Sequence, residues 1–295
     1  MTESGDIVVN ESNTLIIGTV DSLSGVTITD AAPNNNTGND NIAVFATGSL
    51  TIGQPVVNND GGGIFLGTNG AVSGNNVIIN NNITGTGGNT PIDILAADDV
   101  ITNTTAAVSA AGSGIVTVSA GLQFTGYPSS QTPGFANGTA TGDVSMGDGS
   151  SFVSDDGDIV VNGSGNVALS LLDANDNSAA TLGPILVTAD FDGVGGLSNN
   201  LGAITDNRSG DGTAFPNIIG ASAILDAATG VGTGANALDT TVTLLDVTNR
   251  QSTGVGIFID NNGALTLTNL NGDSRSVSGF GGGGQIRASS PLTIS

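Results

Sequence analysis

Oxygen-bearing side chains supply nearly all the chemistry that this sequence could perform, because its 295 residues include no His, Cys, Lys or Trp. Catalysis through a His base or a Cys thiolate is therefore excluded, and ordinary zinc sites are nearly so. Carboxylates remain, and glycoside hydrolysis uses two of them facing each other across a cleft. Scarce Arg weighs against a lyase, and an aromatic content of 3 % weighs against sugar-stacking platforms. We predict that the chain is not an enzyme. The closest carboxylate sets are Asp98 and Asp99; Asp155, Asp156 and Asp158; and Asp190 and Asp192.

Two short acidic segments, 173–177 and 206–212, present oxygen atoms at the close spacing that calcium requires. Neither segment matches an EF-hand loop, and no calcium-binding nonapeptide array is present. Asp and Asn at this spacing are also typical of ordinary Asx turns, so both interpretations stay open. Calcium is the one cofactor that the sequence suggests. The candidate ligands are Asp173, Asn175, Asp176, Asp206 and Asp211.

The charge balance limits the partners of the chain. A formal net charge of −22 at pH 7 disfavours DNA, RNA and anionic membranes, which require clustered Lys and Arg. No apolar run approaches the roughly 18 residues that span a bilayer, so we predict no membrane insertion. The acidity favours solubility through self-repulsion, and it also suits binding of cations. The absence of Cys fits either a reducing compartment or a secreted protein.

Short apolar segments rich in Val, Ile, Leu and Thr alternate with Gly, Asn and Asp throughout the chain. The segments 114–119 and 264–268 show the period-2 alternation of a strand with one wet face. Gly, Asn and Asp between them are typical turn residues. Charged residues make up only 10 % of the chain, which favours an ordered protein. The segment 221–228 fits either a short helix, capped by Gly230, or another strand.

Internal repeats of short sequence segments indicate that one structural pattern is used repeatedly. Gly5–Asn10 recurs identically at Gly157–Asn162, and Gly63–Val72 resembles Gly256–Leu265. The intervals between copies differ, so the chain is not a strict tandem array. The shared pattern is a strand of four or five residues, a corner of Gly and Asn, and then another strand.

Two all-β architectures fit this pattern: a right-handed parallel β-solenoid, and tandem antiparallel β-sandwiches. A solenoid interior is narrow and suits small aliphatic side chains, whereas immunoglobulin-like sandwiches bury a Trp, which is absent here. Runs of Asn such as 34–36 and 80–82 could stack as amide ladders at the corners of successive coils. We predict one solenoid rod over residues 1–295, of about 12 to 14 coils, belonging to a longer protein. The segment 127–134 is predicted to be a protruding loop.

The segments 157–169 and 281–292 resemble coils of the filamentous-haemagglutinin-like exoproteins, which are large bacterial surface proteins. The resemblance covers most of the chain, although the secretion domain of that family is not recognisable. It implies a right-handed β-helix, an extracellular or cell-surface location, and a role in adhesion, biofilm or fibres.

We therefore expect an extracellular structural or adhesive rod. Its partners would be further copies stacked end to end, a surface glycan or a cell receptor. The alternatives are a solenoid that binds or degrades polysaccharide, and a calcium-stiffened subunit of a fibre.

Overall fold

The structure is a computed structural model that describes residues 5–29, 39–125, 135–175, 183–191, 200–210, 212, 214–251, 255–279 and 283–295. These described residues form 34 strands and no helix. The segment 127–134, expected to protrude as a loop, lies outside the described residues. Nearly all strand pairs are parallel, and the chain winds as a β-solenoid. The fold class expected from the sequence is thus confirmed, and the alternative of antiparallel sandwiches is wrong.

Each coil contributes strands in turn to three faces, which we name A, B and C. Face A is a 12-stranded sheet, and faces B and C are two columns of one 18-stranded sheet. The strands of the first five coils, in chain order, are β1 (Ile7–Glu11), β2 (Leu15–Ile17), β3 (Thr19–Val20), β4 (Leu23–Ser24), β5 (Val26–Ile28), β6 (Ile42–Ala46), β7 (Leu50–Ile52), β8 (Val56–Asn58), β9 (Ile64–Thr68), β10 (Val77–Ile79), β11 (Ile83–Gly85), β12 (Ile92–Ala96), β13 (Val100–Thr102), β14 (Ala107–Ala110), β15 (Val116–Ala120), β16 (Leu122–Phe124), β17 (Phe135–Asn137), β18 (Val144–Ser145) and β19 (Ser151–Ser154).

The remaining coils continue the same three faces, except that β30 pairs with strands of both B and C. Their strands are β20 (Ile159–Gly163), β21 (Val167–Leu169), β22 (Leu171–Asp173), β23 (Pro184–Ala189), β24 (Ala203–Asp206), β25 (Ile218–Ile219), β26 (Ser222–Ala227), β27 (Gly230–Val231), β28 (Leu238–Thr241), β29 (Leu244–Asn249), β30 (Ile257–Asn261), β31 (Leu265–Leu267), β32 (Val277–Ser278), β33 (Gly284–Ala288) and β34 (Leu292–Ile294).

The core is built from in-register stacks of aliphatic side chains that run along the rod. Alternate residues of each strand point inward, so one position per coil lines each stack. These inward side chains are nearly all fully buried, and they form one continuous cluster through the described coils. One stack on face A consists of Ile7, Ile42, Ile64, Ile92, Val116, Ile159, Ile185, Ala223, Leu245, Leu267 and Ile294.

The length of a coil varies more than the sequence suggested. Successive members of this stack are 22 residues apart between Ile42 and Ile64, but 43 apart between Val116 and Ile159. The longer interval contains the antiparallel hairpin of β16 and β17, inserted between faces A and B. Eleven successive strands of face A occur in the described residues, fewer than the 12 to 14 coils expected, because such insertions consume chain.

Two further sequence interpretations are decided by the strand pairing. The segment 221–228 contains strand β26 on face A, so the helix interpretation is wrong. The identical copies Gly5–Asn10 and Gly157–Asn162 place Ile7 and Ile159 in the same stack. The second pair of similar segments, Gly63–Val72 and Gly256–Leu265, does not share a stack. Strand β9 lies on face A, whereas β30 pairs with strands of faces B and C.

Neighbouring isoleucines on β10 provide a matched test of the solenoid register. Ile79 is fully buried and Ile78 points outward. We expect Ile79→Ala to lower the free energy of unfolding by about 2–5 kcal/mol, because it leaves a cavity in the stack. Ile78→Ala should cost about 1 kcal/mol or less. Denaturant unfolding of both variants measures the difference, and equal losses would contradict the register.

Candidate functional site

A ladder of polar side chains joins successive coils at the corner between faces A and B. Each member immediately precedes a face B strand, and its side-chain oxygen accepts the backbone N–H of the next coil. Five hydrogen bonds of 2.6–3.2 Å therefore link six coils at this corner. The ladder runs through Ser49, Asn76, Asp99, Asp143, Asn166 and the N–H of Ala203. Stacked amides were expected at corners. The structure shows a mixed ladder at this corner, in which Asp carboxylates accept the same kind of hydrogen bond as Asn amides.

Asp98 and Asp99, the first candidate pair for acid–base chemistry, are engaged in this corner. Asp98 is buried and accepts the N–H of Gly74 at 2.6 Å and the hydroxyl of Thr139 at 2.6 Å. Burial raises the pKa of Asp99; the N–H of Asp143 opposes that rise, and the negative charges of Asp98 and Asp143 add to it. These carboxylates thus serve as hydrogen-bond acceptors for the coil corner.

Replacing Asp99 by Asn should stabilise the rod at neutral pH. The raised pKa means that ionised Asp99 is less favourable in the folded chain than in the unfolded chain. This cost is absent at about pH 3 and below, where the carboxyl is protonated in both states, and it is complete above the raised pKa. The amide of Asp99→Asn still accepts the N–H of Asp143, so its melting temperature should exceed that of the wild type at pH 7.

The same comparison at about pH 3 should show no difference between Asp99→Asn and the wild type. Asp273→Asn is the control, because it changes the net charge equally at an exposed turn where Asp273 accepts the N–H of Arg275. A gain at pH 7 as large in Asp273→Asn as in Asp99→Asn would assign the effect to net charge rather than to the ladder.

The described members of the calcium prediction do not form one cluster. Asp173 ends β22 on face C and accepts the N–H of Asn175 at 3.0 Å. Asp206 ends β24 on face B and accepts the N–H of Arg208 at 2.7 Å and the amide of Asn217 at 2.6 Å. Groups of three or more acidic side chains suited to a metal do not occur in the described part of the chain. Asp176 and Asp211 lie outside the described residues, and calcium binding stays a prediction.

Described members of the other acidic sets make contacts that hold coils together, and Asp192 lies outside the described residues. Asp155 accepts the N–H of Gly112 at 2.9 Å. Arg250 lies 3.5 Å from the buried carboxylate of Asp190 and 3.1 Å from Asp226, and it also donates to the carbonyls of residues 189 and 190. Arg287 pairs with Asp260 at 3.4 Å. Arg250 and Arg287, two of the four Arg residues of the chain, are thus paired with Asp carboxylates.

The hairpin of β16 and β17 folds back onto the outer surface of face A. Phe124 is fully buried there, with its ring centroid 4.8 Å from that of Phe45 and 5.9 Å from that of Phe135. Its ring fits over Gly67, where a Cβ would lie only 2.7 Å from ring atoms and 2.3 Å from the carbonyl oxygen of Leu95. Glycine is therefore required at position 67 for the ring to be seated. This small apolar cluster on the outside of the rod comprises Ala43, Phe45, Phe65, Leu95, Leu122 and Phe124.

Beside the hairpin, face A forms a cleft that combines polar and apolar groups of several coils. Its volume is about 220 Å³. The floor comes from outward-pointing residues of β12, β15 and β20, and one wall comes from the hairpin. The lining residues are Asp93, Leu95, Thr117, Ser119, Leu122, Phe135 and Asn162.

The polar groups of this cleft are held in fixed positions. Burial raises the pKa of Asp93, and a hydrogen bond from the Thr117 side chain opposes the rise. Asn162 donates from its amide to the hydroxyl of Ser119 at 3.2 Å, and both side chains are buried. The cleft therefore presents one carboxylate, the Thr117 hydroxyl and an amide that the buried Ser119 holds in place, in an arrangement suited to binding a polar ligand.

The sequence analysis did not predict a ligand-binding role for any residue of this cleft. The only signal was Asp93 between Ile92 and Ile94, since period-2 alternation puts it on the outer surface of a buried strand. The hairpin wall left no local signal, because its position depends on the contact between Phe124 and Gly67, which are distant in the sequence.

Removing the Phe124 ring should release the hairpin from face A. We expect Phe124→Ala to lose about 3–5 kcal/mol of local stability, the usual cost for a fully buried Phe. Amide hydrogen exchange at the paired residues Gln123 and Ala136 should then accelerate strongly. Phe135→Ala is the control, because that ring is about half exposed. Similar acceleration in both variants would show that Phe124 does not anchor the hairpin.

Comparisons of the chain with known protein families, with curated proteins and with solved structures gave no match. A helix with the length and hydropathy needed to cross a bilayer does not occur among the described residues.

Proposed function

We propose that this chain is a structural and adhesive rod of an extracellular bacterial surface protein or fibre, without catalytic activity. The observation that carries the proposal is the unbroken parallel pairing of face A from β1 to β34. A stack of coils lengthens without changing its cross-section, and such an architecture suits a spacer that holds a surface away from its anchor. The resemblance to filamentous-haemagglutinin-like exoproteins supports the location and the adhesive role.

The outermost described coils support end-to-end association of copies. Ile7 and Ile294 belong to the same stack, and β1 and β34 each pair with a face A strand on one side only. Apolar side chains are exposed at both ends: Val9 is 36 % exposed, and Ile294 is 75 % exposed. Another coil laid on either end would cover these side chains and satisfy the backbone groups of the edge strand. Copies of the chain could supply that coil to one another.

The acidic surface supports a role among neutral or cationic partners. With a net charge of −22, the rod repels nucleic acids and anionic lipid surfaces, and it repels further rods sideways. Contact at the ends, where apolar residues are exposed, is then favoured over lateral aggregation. We propose no nucleic-acid partner and no membrane insertion for this chain.

Electron microscopy and small-angle scattering test the rod. Eleven face A strands at about 4.8 Å per coil give a unit of roughly 50 Å, and end-to-end association should give particles in multiples of that length. Ile294→Asp should shift the particles to single units, since it puts a charge at the exposed end. Val72→Asp, at a residue 60 % exposed on a coil corner, adds the same charge and should change nothing. Compact, isometric wild-type particles would contradict the rod, and single wild-type rods would contradict the association.

A further inference from the structure

We infer that the cleft between face A and the β16–β17 hairpin binds one unit of a neutral saccharide. This inference rests on the proposed adhesive role only in that adhesion needs a ligand; the chemistry of the cleft is a separate argument. The cleft lies on the side of the rod, away from both ends, so a ligand there would not compete with end-to-end stacking. Its volume of about 220 Å³ is below the range usual for drug-sized ligands and suits a single small unit.

The polar floor matches a ligand whose groups both donate and accept hydrogen bonds. Asp93 can only accept when ionised, whereas the Thr117 hydroxyl and the Asn162 amide each carry both donor and acceptor capacity. Asn162 holds Ser119 through its amide at 3.2 Å, and Thr117 holds Asp93, so the groups are oriented before a ligand arrives. Hydroxyl groups on adjacent carbons of a sugar ring offer this mixture of donors and acceptors.

The apolar wall supplies the second element of saccharide recognition. Phe135 is 47 % exposed, and its ring is backed by the buried ring of Phe124 with centroids 5.9 Å apart. A sugar ring carries C–H bonds on its faces, so it can cover an aromatic ring while its hydroxyls reach the polar floor. Leu122 extends the same wall. Aromatic residues are few in this chain, and the hairpin places one of them beside the polar residues of the cleft.

Electrostatics disfavours anionic ligands, and the composition of the lining favours a neutral ligand over a cationic one. Asp93 and the net charge of −22 repel carboxylated sugars and phosphates. An ammonium group would pair with Asp93, but Asp93 is the one carboxylate of the described lining, and its other polar groups are uncharged. The mixed hydroxyl and amide lining instead fits uncharged hydroxyl groups.

Ligand-observed NMR on the intact chain tests the inference. The probes are the methyl glycosides of glucose, galactose, mannose and N-acetylglucosamine, with glucuronate and glucosamine as the charged counterparts. At least one neutral glycoside should bind, in about the millimolar range, because a single sugar has few atoms with which to gain affinity. Silence of all four neutral glycosides, or binding of glucosamine or glucuronate alone, would overturn the inference.

Variants of the cleft locate the binding. Asp93→Ala should weaken binding by about tenfold or more, because a hydrogen bond to a charged group is lost. Phe135→Ala should weaken it similarly, and Phe135→Tyr should preserve it. Asp273→Asn, at an exposed turn, should bind as the wild type does, and thermal melts verify that each variant is folded. Unchanged affinity in folded Asp93→Ala and Phe135→Ala would place the ligand elsewhere and overturn the inference. The particle lengths in electron microscopy are independent of this outcome, so the rod and the cleft can fail separately.

Discussion

The backbone hydrogen bonds between coils are the interaction on which the rest of this structure depends. Each inner strand donates to and accepts from the coils on both sides, so every coil must lie in register with its neighbours. Register in turn puts like positions above one another and produces the aliphatic stacks of the core. The triangular interior leaves little room, which explains a core of Ile, Val, Leu and Ala with few aromatic rings.

At the corner between faces A and B, side chains take part in the hydrogen bonds that join successive coils. Where the chain turns from face A to face B, the side-chain oxygens of Ser49, Asn76, Asp99, Asp143 and Asn166 accept N–H groups of the following coil. The backbone carbonyls of the last four also accept N–H groups of the preceding coil. The residues of this corner thus share a short side chain that carries an acceptor oxygen. This accounts for Asn and Asp at these positions, where a Lys side chain would offer no acceptor. It also means that the acidity of the chain is partly structural.

Much of the fold could be predicted because it follows from the local periodicity of the sequence. Alternation of apolar and polar residues identified strands, and the repeated Gly5–Asn10 segment marked two positions of one stack. Local pattern did not distinguish the faces, since the similar segments that begin at Gly63 and Gly256 occupy different ones. The cleft could not be predicted, because it depends on Phe124 meeting Gly67 across a separation of 57 residues. Contacts of that kind carry no periodic signal.

The three faces differ in the number of residue pairs that join one coil to the next, and this difference has a mechanical consequence. Because the bonds between coils run nearly along the rod, tension applied to its ends would stretch them directly, and all three faces of one level would share the load. The coil of β26–β28 is joined to the following coil by six residue pairs on face A, between β26 and β29. On face B, β27 and β30 are joined by only one residue pair, Val231 and Ile257. Such a level is expected to open first on its weak side, with face A acting as the hinge, so that the rod bends before it breaks.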